Sequence, residues 1–171
     1  YGDFRLLGSK TIAELCKIDG IGVAKAAQIK AAIAIAKRYS TITLKPGTKL
    51  SSSFAIFKHY HETLREKKQE TFITVLLDNK NRMLKENQIS TGSLTSSIVH
   101  PREVFGPAIR EYAASVVFVH NHPSGDPSPS NEDIEVTQRL KEVSQIVGIK
   151  ILDHLIIGNN EYVSFKDSGL L

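Results

Sequence analysis

Two kinds of hydrophobic pattern divide the chain. Residues 9 to 38 carry Ile, Leu and Ala at helical spacing, whereas from Thr71 onward short β-branched and aromatic runs are separated by turn residues and amphipathic stretches. The first pattern predicts two helices around a tight turn, Lys17 to Lys25, with the second helix over Val23 to Arg38. Gly20 and Gly22 permit a compact hairpin, and Ile21 between them is placed to plug the space between the helices. Ser40 to Ser53 has no helical period and contains Pro46-Gly47, so it reads as a boundary. The division it suggests is a helical segment over 1–42, a linker over 43–50 and a larger domain over 51–171.

In the larger part the pattern predicts a helix over Phe54 to Lys67, with Phe54, Phe57, His61 and Leu64 near one face. Strands over Thr71 to Leu77 and Met83 to Ser90 follow, joined by the turn-forming run Asp78 to Arg82. Gly92 to Ser97 is a polar loop that either lines a groove or only connects, and His100-Pro101-Arg102-Glu103 opens a helix with Pro in its first turn. Ser115 to Val119 is a buried strand. A helix capped by Ser130 places Ile134, Thr137, Leu140, Val143 and Val147 on one face and ends at Gly148. Strands over Ile149 to Ile157 and Glu161 to Phe165 complete the chain around a Gly158-Asn159-Asn160 turn.

Composition changes this picture in two respects. With 41% hydrophobic and 23% charged residues over 171 positions, the chain can bury a core and is ordinary for a globular protein. The net charge of +4 is uneven: residues 1–50 hold nine Lys or Arg against three acids, so a polyanion would meet that part first. A single cysteine, Cys16, excludes an intramolecular disulfide framework and points to the cytoplasm, and no signal peptide or long apolar run is present. The chain begins at Tyr1 rather than Met, so further N-terminal residues are expected to precede it.

The chemistry lies between Ser115 and Glu135. His120 and His122 stand two apart at a strand end, so the period of two sends both imidazoles to one side and Asn121 to the other. After a loop rich in Pro, Gly and Ser, Asp133 sits on the first turn of the next helix, where its carboxylate can face back toward the strand end. Two imidazoles and a carboxylate are ligands that zinc accepts, with a position left for water, as in a catalytic rather than a structural site. Ser130-x-x-Asp133 is also a capping box, and both roles can hold at once. A zinc site of this kind needs a glutamate beside the water, and the residues alone leave Glu62, Glu66, Glu70, Glu86, Glu103 and Glu111 open. Asp153 and His154 form a further pair, read either as support to the metal or as a core histidine with its hydrogen bond.

H-x-H followed after seven residues by S-x-x-D resembles the JAMM (MPN+) signature of zinc-dependent isopeptidases. HNHPSG, PREVF and DHLIIG resemble the RadC family, which carries that signature. The resemblance implies an α/β domain, a mixed β-sheet flanked by helices of the JAMM/MPN, cytidine-deaminase-like kind, behind a small all-α helix-hairpin-helix segment. It implies one zinc per chain on His120, His122 and Asp133, Glu70 as proton shuttle near the start of its strand, and Ser130 as the hydroxyl that steadies an oxyanion. Gly-Ile-Gly ahead of an Ala-rich helix resembles a helix-hairpin-helix, which implies Gly20, Gly22 and Lys25 as contacts to a DNA phosphate; an ordinary αα-hairpin is the competing account.

Three functions compete on these residues. One is a zinc metallopeptidase or isopeptidase acting on an unknown peptide or protein. The second is a DNA-associated repair factor, or a nuclease, in which this domain cuts no peptide. The third, a zinc deaminase, fails because there is no H-x-E and no P-C-x-x-C.

Overall fold

A computed structural model describes residues 4–40, 46–92 and 99–171, and the chain divides into two compact units, Tyr1–Ile42 and Thr43–Leu171. The smaller unit holds α1 (Phe4–Ser9), α2 (Ile12–Leu15) and α3 (Val23–Ser40). The hydrophobic period missed α1 and overstated α2, which is only four residues long and is held by local caps. Thr11 accepts the amide of Glu14 on its hydroxyl while the Glu14 carboxylate accepts the Thr11 amide at 2.8 Å, a reciprocal capping box. Lys30 closes the end of α1 by donating its ammonium to the carbonyls of Gly8 and Lys10, at 2.7 and 2.9 Å. Leu15 and Ala26 are buried between these helices. Ile21, expected to plug the hairpin, is only half-buried.

The larger unit is built on a five-stranded sheet in the order β2-β1-β3-β4-β5, from β1 (Thr71–Leu77), β2 (Met83–Thr91), β3 (Ser115–Asn121), β4 (Lys150–Ile157) and β5 (Tyr162–Ser164). The sheet is mixed: β3 and β4 are parallel and every other pair is antiparallel. Parallel neighbours need a crossover, and α6 (Asn131–Val147) supplies it between them. β1, β3 and β4 are the inner strands, and β1 and β3 are buried along their whole length, which their runs of Val, Leu, Ile and Phe demand.

Helices cover both faces. On one, α5 (Pro101–Arg110) and α6 pack Val104, Phe105, Val136 and Leu140 against Phe72, Leu76 and Phe118. On the other, α4 (Ser53–Leu64) packs Ile56, Tyr60 and Leu64 against Ile73, Val75, Val117, Val119 and Leu155. Each fully buried side chain of this size contributes roughly 1.5–3 kcal/mol. No helix among the described residues is long and apolar enough to cross a membrane.

Several expectations are corrected here. The inward stripe of α4 is Ile56, Tyr60 and Leu64, four apart, while Phe54 is 60% exposed. On α6 the buried positions are Asp133, Val136, Thr137, Leu140 and Ser144; Ile134 faces outward, and Val143 and Val147 lie at the margin. Of the expected face only Thr137 and Leu140 are buried, and three of the five buried positions, Asp133, Thr137 and Ser144, are polar. The run 46–50 does not behave as a linker: Gly47 and Leu50 donate to the carbonyls of Met83 and Asn81, Met83 donates to Thr48, and Leu50 is buried. The Gly92 to Ser97 loop lies outside the described residues apart from Gly92.

Candidate metal centre

β3 runs two residues further than its apolar stretch indicated, so His120 and Asn121 are in the strand and His122 is one residue beyond it. The His122 amide donates to the carbonyl of Ile157 at 3.0 Å, which ties the strand end to β4. The loop that follows is clamped on the turn after β4. Gly125 takes φ +88°, its carbonyl accepts the amide of Asn159 at 2.9 Å, and a Cβ on Gly158 would collide with the Gly125 carbonyl and the ring of Pro127. At the far end of the loop Ser130 caps α6, accepting the Asp133 amide at 3.1 Å while its own amide and hydroxyl donate to Asp133 Oδ2 at 2.8 and 2.7 Å. The capping box and the metal-ligand pattern are thus made by the same carboxylate.

These local devices bring three side chains to one point at the carboxyl end of β3. His120 Nε2 lies 3.1 Å from His122 Nε2 and 3.1 Å from Asp133 Oδ1, and His122 Nε2 lies 3.3 Å from Asp133 Oδ2. Among the described residues these three form the cluster able to hold a metal ion. The donor atoms fit such an ion in spacing, since ligands about 2.0–2.2 Å from one centre lie roughly 3.0–3.5 Å from each other. They fit in chemistry as well. His122 Nδ1 is 2.8 Å from the carbonyl of Asp126, which can only accept, so Nδ1 carries a proton and Nε2 is free to offer its lone pair. Asp133 Oδ2 is occupied by Ser130, which leaves Oδ1 turned toward His120.

The electrostatics describe the same crowding. Burial would raise the Asp133 carboxyl, but hydrogen bonds from His120 and His122, their charges and the Ser130 hydroxyl hold it far below the usual carboxylate range. Burial lowers His120, which has no exposed surface, against the pull of Asp133. His122 is raised by its hydrogen bond to Asp133, with burial opposing.

Glu70 stands immediately before β1, with its carbonyl bonded to the amide of Gly92 at 2.9 Å, and its negative charge makes a small contribution in favour of a proton on each imidazole, outweighed by burial at His120. With Lys68, Gln69, Gly92 and Pro123 it lines an open cleft of about 260 Å³. Four of the five competing glutamates have other duties. Glu62 pairs with Arg65 and Glu86 with Tyr60 on the α4 face, Glu111 pairs with Lys85 where β3 begins, and Glu103 pairs with Arg102 on the surface. Asn121, between the two histidines, faces the other way. Fully buried, it accepts the Thr71 amide at 2.9 Å and donates to the carbonyls of Gln69 and Lys67 at 3.3 and 3.4 Å, so it holds the segment that carries Glu70.

A family model described as the RadC-like JAB domain matches residues 50–170. The chain belongs to the RadC family. A UPF0758 protein from Syntrophotalea carbinolica is 54% identical over 171 residues, 100% of this chain and 75% of that protein. UPF0758 proteins from Geotalea uraniireducens and Methanosarcina mazei are each 50% identical, over 100% and 99% of this chain and 75% and 74% of their own lengths. In this RadC chain the mixed sheet and its flanking helices are consistent with a JAB-type domain, and His120, His122 and Asp133 are grouped where they could hold a metal ion.

The remaining expected residues lie in the N-terminal unit. Gly20 has φ +79°, and Gly22 and Lys25 are exposed at the start of α3, but Lys25 Nζ donates to the Gly20 carbonyl at 2.9 Å, folding its charge onto the turn. Asp153 and His154 are not a pair: on consecutive strand positions they face opposite sides of the sheet. Asp153 meets Ser53 and Ser164 on the α4 side, and His154 meets His120 and Thr137 on the α6 side. The period of two could have separated them, since the same rule brought His120 and His122 together.

Proposed function

We propose that this chain is a zinc-dependent hydrolase of the JAMM type acting on an amide or isopeptide bond. The observation that carries the reading is the convergence of two imidazole nitrogens and a carboxylate oxygen at 3.1–3.3 Å beside a cleft lined by Glu70. Zinc held there would supply Lewis-acid activation of a carbonyl and acidify water to a pKa of about 7. The family supports zinc over other metals that accept two imidazoles and a carboxylate.

The chain's own residues would do the rest. A water oxygen attacks the scissile carbonyl carbon and its proton passes to a Glu70 oxygen. The carbon–nitrogen bond then breaks, and Glu70 returns the proton to the leaving amine, giving a carboxylic acid and an amine. His120, His122 and Asp133 orient the centre. Ser130 can donate to an oxyanion only by releasing Asp133 Oδ2, to which its one hydroxyl proton now points. Its other work, capping α6 and fixing Asp133, does not depend on that role.

Glu70→Gln tests the assignment on a panel of peptide, isopeptide and nucleic-acid substrates. The variant is expected to keep zinc and fold while losing about 10²–10⁴-fold in turnover on whatever amide the parent cleaves. Full activity in Glu70→Gln would remove the shuttle. A parent that cuts nucleic acid but no amide would move the site to the nuclease alternative.

A further inference from the structure

His154 is 1% exposed, and the Asp153 carboxylate, which accepts its backbone amide at 2.8 Å, turns to the opposite side of the sheet from its ring. It is packed against Phe165 with ring centroids 4.6 Å apart and edge-on to Phe72 and Phe118. A core histidine needs only packing and a hydrogen-bond partner. This one has two partners, and they lead to a ligand.

The direction of each bond follows from donor and acceptor chemistry. Thr137 Oγ1 lies 2.6 Å from the carbonyl of Asp133, and a carbonyl only accepts, so the single hydroxyl proton of Thr137 is spent there. The contact between Thr137 Oγ1 and His154 Nδ1, at 2.7 Å, must then be made by a proton on Nδ1. A neutral His154 with its proton on Nδ1 offers a lone pair on Nε2, which is 2.8 Å from His120 Nδ1. His120 Nδ1 must therefore carry a proton, and His120 Nε2 is left as a lone pair facing His122 and Asp133. We propose that Thr137 and His154 are positioning residues that fix the tautomer and ring orientation of His120, so that its Nε2 is held ready for a cation. The relay starts at the backbone of Asp133 and ends on the side chain of His120, coupling one ligand to another through the helix that carries the first.

The proposal rests on the metal-centre reading, and two measurements separate their failures. The first is the protonation pattern of the imidazole nitrogens by NMR of the full chain labelled with ¹⁵N-histidine, recorded with and without zinc. His154 is expected to carry its proton on Nδ1 with a bare Nε2 in both states. A proton on His154 Nε2 would overturn the relay, whether or not the protein takes up zinc. The second is zinc affinity, by competition with a chelator, for Thr137→Val and Thr137→Ser. Valine keeps the shape and removes the acceptor, so affinity is expected to fall about 10–100-fold, the usual effect of losing a partner that orients a ligand. Serine restores the hydroxyl and should restore affinity. Thr137→Val that folds and binds zinc as the parent does would reduce His154 to a packing residue. A parent that binds no zinc would sink the metal reading, while the nitrogen protonation pattern still decides the relay.

Discussion

Asp133 and Asp153 are almost equally buried, at 3% and 4% exposure, on opposite faces of the same sheet. Asp153 is surrounded by donors. Ser53 and Ser164 hydroxyls and the amides of His154 and Lys166 reach its two oxygens at 2.7–3.1 Å, and none of these groups is a metal ligand. Asp133 has one oxygen met in the same way by Ser130, but its other oxygen faces an imidazole nitrogen whose own hydrogen-bond network leaves it a lone pair. A carboxylate satisfied by hydroxyls and amides ties elements together. A carboxylate gathered with two imidazole nitrogens has the makings of a metal-ligand cluster, and that is what distinguishes a site from a strut.

Removing each carboxylate should therefore fail in different ways. Asp153→Ala leaves two hydroxyls and two amides short of an acceptor and is expected to cost on the order of 3 kcal/mol. Its zinc content should be unchanged. Chemical denaturation together with metal analysis checks this, and loss of zinc from a folded Asp153→Ala would break the contrast.

Asn121→Ala is expected to act more gently, and on the glutamate rather than the metal. The buried Thr71 amide loses its acceptor, a cost of about 1–3 kcal/mol, and the segment 67–71 is freed. Turnover should fall with zinc retained, so measuring both on one preparation separates a loosened Glu70 from a damaged centre. Unchanged turnover would mean that Glu70 is placed by the sheet alone.

These contrasts also show what the sequence could and could not reveal. H-x-H and S-x-x-D are local, and strand alternation with helix capping brings them together with little help from the rest of the fold. His154 stands 34 residues from His120, and their contact depends on β4 lying parallel to β3 with Phe118 opposite His154. No local period contains that register. A further irregularity, the unpaired Leu152 between Ile151 and Asp153, shifts the pairing and could not be foreseen from an apolar run. Thr137 was visible as a helix-face residue but not as the acceptor for His154, because that partner lies on β4. The corrected stripe on α4 has a simpler cause: Ser52 caps that helix, accepting the Ala55 amide, and so turns Phe54 to solvent in the first turn.

The α4 face carries a smaller, pH-dependent signature of its own. Burial and a 2.6 Å hydrogen bond to Glu86 push the Tyr60 hydroxyl far above its ordinary value of 10.0. In the unfolded chain that tyrosine ionises near 10, whereas in the folded protein it stays protonated, so its contribution is fully present below 10 and is lost as the pH rises beyond it. Stability above pH 10 should fall less steeply in Tyr60→Phe than in the parent. Equal slopes in the two proteins would mean that Tyr60 is already free to ionise in the fold.

The claim on which everything else depends is that His120, His122 and Asp133 together hold one zinc ion. Elemental analysis of the purified chain and of His122→Ala, both checked for fold, tests it directly. The parent should contain close to one zinc per chain and the variant almost none. Equal zinc in both, or a parent that takes up none from zinc-containing buffer, would contradict it.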